Sequence, residues 1–234
     1  MRPLLLAAAL AGLAAPALAA DPRDAAPPYS FWLSRTDGGV STKGEQDFDW
    51  DAQGWVGSDE QRAWVKTTGN LQGSGAPDRA DVQLLYSRAL NEFWDVQAGV
   101  RQTLEPAART SAVLGVQGLA PYWFEVDAAA FLGEGGRLTG RLETSYELTF
   151  TQRVFAEPFL TVRFSTKADP KLLEGPGLMD TEAGLRLRYE VSRNFAPYVG
   201  VSWARRYGAT RRRLTAAGGD GEETSGRAGL RLLF

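Results

Sequence analysis

Arg227-Ala228-Gly229-Leu230-Arg231-Leu232-Leu233-Phe234 decides how the rest of the chain is read. Ala228, Leu230, Leu232 and Phe234 share one parity; Arg227, Gly229, Arg231 and Leu233 share the other. Successive side chains of a strand point to opposite faces, so this segment predicts a strand with one apolar and one charged face. The pattern recurs upstream. Leu185, Leu187, Tyr189 and Val191 oppose Glu182, Arg186, Arg188 and Glu190. Leu138, Leu142, Tyr146, Leu148 and Phe150 oppose Arg137, Arg141, Glu143 and Glu147. Tyr122, Phe124, Val126, Ala128, Ala130 and Leu132 oppose Trp123, Glu125, Asp127 and Phe131. Each polar face carries both signs of charge.

Extended over the chain, the alternation predicts about twelve strands: 29–36, 47–57, 61–73, 80–90, 93–104, 109–119, 122–133, 137–151, 154–167, 180–193, 195–208 and 222–234. Links after even-numbered strands are short, as at 57–61 and 193–195. Those after odd-numbered strands are mostly longer, polar and rich in glycine, as at 168–177 and 209–221. Short turns on one rim and long loops on the other predict an all-β fold, an up-and-down antiparallel transmembrane β-barrel. A soluble barrel would share the period but turn its apolar side chains inward. Three features favour the membrane: the charged faces, the strand number, and aromatics beside the short turns. These aromatics are Trp55 with Trp64, Phe93 with Trp94, Tyr122 to Phe124, and Phe195 with Tyr198, an expected interfacial girdle.

Composition narrows the chemistry. The 234 residues contain no histidine and no cysteine, and the two methionines are Met1 and Met179. Imidazole-assisted nucleophilic catalysis, disulfides and thiolate zinc sites are therefore excluded, and no enzyme activity is expected. A net charge of −2 gives no bulk attraction to nucleic acid. Met1-Arg2 followed by the alanine- and leucine-rich run 4–20, ending Ala17-Leu18-Ala19-Ala20, predicts a signal peptide over 1–20 cleaved after Ala19 or Ala20. Residues 21–28 are then a short amino-terminal periplasmic segment and 29–234 the barrel domain.

Parity also nominates sites. Asp49, Asp51, Glu125, Asp127, Glu143 and Glu147 are predicted to face the lumen as candidate metal-holding carboxylates. Arg101, Arg141, Arg163, Arg186, Arg188, Arg227 and Arg231 are predicted to line the same lumen as basic partners. Buried charges need partners, so the plain reading is a salt-bridge network; the functional one is a passage that holds or passes a cation. Asp47 continues the line of Asp49 and Asp51. Gly133-Glu134-Gly135-Gly136 reads as a hairpin turn, because no helix pattern follows it for phosphate binding. Arg205, Arg206, Arg211, Arg212 and Arg213 mark the last long loop, where lipopolysaccharide phosphates would be their partners.

The stretch GLAPYWFEVDAAAFLG (118–133) resembles the core signature of the copper resistance protein B family. In the same order around it lie WDAQGWVG (50–57), VQLLYSRA (82–89), WDVQAGVR (94–101), ELTFTQR (147–153), EAGLRLRYE (182–190) and FAPYVGVSW (195–203). The resemblance spans roughly 29–234. It implies a barrel in the Gram-negative outer membrane, in contact with its lipid and lipopolysaccharide. It also implies copper as the ion handled, in efflux or sequestration, together with a periplasmic copper-handling protein. Family members often carry a methionine- and histidine-rich region ahead of the barrel; residues 21–28 contain neither residue. Cu(I) prefers thioether, thiolate or imidazole donors, whereas carboxylates hold Cu(II) weakly. The other functional readings are a porin-like or structural barrel without a copper role and an outer-membrane hydrolase around Ser145 or Tyr146.

Overall fold

The computed structural model describes residues 29–42, 44–72, 76–170 and 172–234. The expected signal peptide and the segment 21–28 lie outside the described residues. Thirteen strands follow one another: β1 (Tyr29–Ser41), β2 (Gln46–Gly57), β3 (Gln61–Gln72), β4 (Ala76–Ala89), β5 (Trp94–Glu105), β6 (Arg109–Ala120), β7 (Phe124–Gly133), β8 (Leu138–Ser145), β9 (Leu148–Thr149), β10 (Val154–Ser165), β11 (Gly177–Tyr189), β12 (Phe195–Arg206) and β13 (Glu222–Leu233). All pairings are antiparallel and, apart from β8 and β9, join strands consecutive in the chain; β1 pairs with β13, which closes the barrel. Closure satisfies the backbone groups that an open edge would leave bare in lipid.

β8 and β9 are two pieces of one stave, so the barrel has twelve staves. Both pair with β10, and the break falls at Tyr146 and Glu147, beside Pro158. Proline has no N–H to donate, so the ladder lapses there and only Tyr146 N–H reaches the Pro158 carbonyl, at 3.1 Å.

Neighbouring residues show which face looks inward: Val113 is 5% exposed and Leu114 62%. Leu84, Val100, Leu132, Leu142, Leu187, Val199 and Leu230 are likewise exposed on the outer wall. An apolar band around a closed barrel is the surface lipid solvates, and it rules out the soluble arrangement. Among the described residues no helix is long and apolar enough to cross a membrane, so the crossing is made by strands.

The aromatic expectation divides. Phe93, Tyr122, Trp123, Phe124, Phe195 and Phe234 are exposed at the short-turn rim, with Tyr29 and Phe150. Trp55, Trp64 and Tyr198 are corrected: all three point inward. Trp64 packs with Leu85, Val113 and Phe131 in an apolar cluster inside the wall, against which Trp55 also lies. Tyr198 is buried and donates its hydroxyl to Asp37. The expected start of strand seven is corrected too. Tyr122 and Trp123 form the β6–β7 turn with φ of 67° and 66°, a left-handed conformation that bulky side chains adopt at a cost of about 1–2 kcal/mol each.

The last long loop, expected as coil, contains a helix, α1 (Gly208–Ala216). The Gly133–Gly136 segment is the expected hairpin turn, with Gly133 N–H bonded to the Arg137 carbonyl at 2.9 Å and positive φ at Gly135 and Gly136.

Candidate functional site

The lumen is divided into two cavities. The larger, about 900 Å³, fills the short-turn half and reaches the rim at Asp59, Asn91 and Glu92. Asp51, Glu125, Asp127, Glu143 and Glu147 line it, as do Arg141, Arg186, Arg188 and Arg231. Register brings these residues together: Arg35 lies directly opposite Asp51 across β1–β2, and Asp127 opposite Glu143 across β7–β8. Arg35 bridges Asp51 at 3.4 Å and Glu157 at 3.2 Å. Glu157 also takes Arg186 at 2.9 Å. Arg188 reaches Glu147 at 2.7 Å and Glu190 at 3.2 Å. Arg186 and Arg188 rest on the faces of Phe159 and Phe155, their guanidinium carbons 3.8 and 4.8 Å from the ring centres. Lys66 is buried and serves Asp127 at 2.7 Å, Gln97 at 3.1 Å and Gln117 at 3.2 Å. Glu125 accepts from Ser145 at 3.2 Å, and Glu143 stands 3.5 Å from Arg141.

Asp49 belongs elsewhere. Arg227 gathers Asp37 (2.8 Å), Asp47 (3.3 Å) and Asp49 on one guanidinium. The residue between them is Gly39, paired with both Arg227 and Asp47; a Cβ there would collide with the Asp47 carboxylate. The absence of a side chain at Gly39 is what allows the cluster to form.

The smaller cavity, about 350 Å³, occupies the long-loop half. Arg101, Arg141 and Arg163 line it, together with Arg79, Arg109 and Arg137. Thr68 and Arg141 line both cavities and mark the division between them. The β10–β11 loop folds over the mouth. Asp169 and Glu174 bond to each other through their backbones at 2.9 and 3.0 Å, and their side chains face the wall. Arg137 holds Asp169 at 2.6 Å and also binds Glu174; Arg109 adds to Asp169; Arg79 reaches Glu174 at 3.0 Å. Helix α1 backs this loop: Gly175 N–H donates to Thr210 Oγ1 at 2.9 Å, and Arg213 donates to the Glu174 carbonyl at 2.8 Å. Arg211 and Arg212 remain exposed on the helix.

Among the described residues no group of three or more histidine, cysteine or carboxylate side chains is arranged to hold a metal ion. Every nominated carboxylate has a hydrogen-bond or ion-pair partner. Met179 is the extra residue of a β-bulge, where Arg163 pairs with Asp180 and Phe164 with Leu178. The bulge turns Met179 into the smaller cavity, among guanidiniums that repel a cation. Strand parity placed Arg137 on a polar face without nominating it, and did not single out Arg35, Arg62, Lys66, Arg79, Asp37, Asp169 or Glu174. For Arg62 and Lys66 the alternation with Trp64 on β3 was a readable signal. For Asp169 and Glu174, which lie in a loop, the sequence carried none.

Known proteins resemble this arrangement at two levels. The barrel superposes on the structure of the NanC porin with a TM-score of 0.58 at 14% identity, covering 85% of this chain and 98% of that one. It superposes on the KdgM porin at 0.52 and 11% identity, covering 86% and 98%. These likenesses establish the outer-membrane barrel fold. In sequence, the chain is 42% identical over 188 residues to Copper resistance protein B of Escherichia coli, covering 80% of this chain and 63% of that protein. It is 40% identical over 186 residues to the Copper resistance protein B homolog of Pseudomonas syringae pv. tomato, covering 79% and 63%. The chain thus spans under two thirds of the length of these relatives. The family model for the Copper resistance protein B precursor matches residues 38–234, which includes all of the barrel from the last residues of β1 onward. With a closed lipid-facing barrel and this match along its length, the chain belongs to the copper resistance protein B family of the outer membrane.

Proposed function

We propose that this chain contributes to copper tolerance by taking Cu(II) from the periplasm into the short-turn half of its lumen, as a holding step on an efflux route. The carrying observation is the larger cavity. It reaches the short-turn rim, which faces the periplasm in barrels of this type, and carboxylates at several heights line it. Asp51, Glu143 and Glu147 keep 39%, 35% and 44% of their side-chain surface exposed. Carboxylates that remain wet can exchange a guanidinium partner for a cation. Their oxygens suit Cu(II) held weakly; the donor set does not suit Cu(I). Weak, distributed binding is what a passage needs, since an ion must also leave.

Delivery and entry fit the same reading. The segment 1–20 would export the chain, and a periplasmic copper-handling protein would load the short-turn rim. Arg211 and Arg212, exposed on α1, would meet lipopolysaccharide phosphates on the other side of the membrane. A strain lacking the gene should lose copper tolerance and accumulate copper. Restoring it with Glu143→Gln and Glu147→Gln together should rescue only partly. Full rescue by that variant would remove the carboxylates from the function.

The second reading is a structural or porin-like barrel with no part in copper handling. The dense pairing of lumen charges favours it, because a salt-bridged lumen is stable without a ligand. Planar-bilayer recording separates the two. Steady conductance unaffected by Cu(II) supports the porin, and a current reduced by Cu(II) from the short-turn side supports holding.

A further inference from the structure

The arginines of the smaller cavity are not equally satisfied. Arg163 donates to Asp180 at 2.8 Å, and Arg79, Arg109 and Arg137 are taken up by Asp169 and Glu174. Arg101 and Arg141 differ. Arg101 comes no nearer than 3.8 Å to Asp81, and Arg141 stands 3.5 Å from Glu143, which contacts it from the larger cavity. Both are ion pairs without a hydrogen bond, and the Nε of each is buried with no acceptor. A guanidinium carries five N–H donors, and a buried donor left unpaired costs free energy. Arg101 also rests on an aromatic face, its guanidinium carbon 4.5 Å from the centre of the Phe131 ring.

Charge points the same way. Six guanidiniums converge on this space, while the buried carboxylates around it are Asp81, Asp169, Asp180 and Glu174. Glu105 and Glu134 sit at its mouth and are exposed to solvent. About 350 Å³ is room for roughly a dozen waters, enough for a small anion and its residual hydration.

We propose that the long-loop cavity is a binding site for a small multivalent oxyanion, a polycarboxylate or phosphate, held by Arg101 and Arg141 beneath the Asp169–Glu174 loop. Carboxylate and phosphate oxygens match the guanidinium fork in pairs. A bound oxyanion would accept from the terminal N–H groups of Arg101 and Arg141, which no carboxylate among the described residues engages in a hydrogen bond. The site shares Arg141 with the copper-holding cavity but stands without that reading.

The test uses the refolded full chain in detergent at low salt, titrated calorimetrically with citrate and with inorganic phosphate. One saturable site is expected for at least one of the two. Arg101→Gln and Arg141→Gln should each weaken it about tenfold or more, for loss of charge-assisted bonds. Arg188→Gln, in the larger cavity, should leave it unchanged. No saturation up to about 10 mM for either anion would overturn the site. So would equal weakening by all three substitutions, which marks diffuse attraction. If either variant fails to fold, the unmodified barrel still decides: a specific site raises its thermal midpoint with citrate or phosphate above that in chloride of equal ionic strength, and no rise contradicts it.

Discussion

Several carboxylates of the short-turn half are wetter than any of those that close the long-loop half, although Glu157 in the former is nearly as dry as Glu174 in the latter. In the short-turn half Asp51, Glu143 and Glu147 keep between 35% and 44% of their side-chain surface exposed. In the long-loop half Asp169 keeps 4%, Asp81 7% and Glu174 13%. The strands continue through both halves; what differs is the covering. The β10–β11 loop and α1 close over one end, while turns of a few residues leave the other open. Dry ion pairs fix structure, because removing one partner strands a buried charge. Wet ones contribute little to stability and can be exchanged. One barrel thus separates a latched half from an exchangeable half.

Four substitutions probe this contrast. The largest effect is expected from Arg137→Ala, which leaves Asp169 and Glu174 short of a cation: a loss of about 3 kcal/mol in urea-induced unfolding. It should also raise single-channel conductance, since the loop is freed. A variant as stable as the parent would show that the loop is not latched. Gly39→Ala comes next. The added Cβ displaces Asp47 from Arg227, an overpacking cost of about 2 kcal/mol by the same measurement.

Met179→Leu conserves volume in the bulge and should cost about 1 kcal/mol or less. Copper titration of this variant should match the parent, because Met179 sits among arginines. Weakened copper binding would place the ion in the wrong half. Glu147→Gln is the mildest. Its carboxylate is nearly half exposed, and loss of the Arg188 pair should shift stability by under about 1 kcal/mol. A loss as large as that of Arg137→Ala would erase the distinction between the halves.

Much of this was legible in the sequence, for identifiable reasons. Period-two alternation and the parity of link lengths marked the strands to within a few residues, since a lipid-facing wall leaves little freedom in which residues face out. Most of the nominated carboxylates and arginines line one of the two cavities for the same reason, while Asp49 and Arg227 line neither. What stayed hidden was non-local. Pro158 breaks the neighbouring stave only because register sets it beside Tyr146. The Met179 bulge depends on how β11 meets β10. α1 has no apolar periodicity to announce it; its Ala, Arg and Leu content was the available hint. Asp49 left the other candidates because Arg227, 178 residues away in sequence, reaches it across Gly39. Trp55 and Trp64 lie near the short turns yet face the interior, so position alone did not separate girdle from core.

The central claim is that copper is held by the wet carboxylates of the short-turn half. Its most direct test is equilibrium Cu(II) binding to the refolded barrel, compared with a variant carrying Asp51→Asn, Glu143→Gln and Glu147→Gln. Weak, saturable binding by the parent that is lost in the variant is the predicted result. Equal stoichiometry and affinity in the two proteins would contradict it.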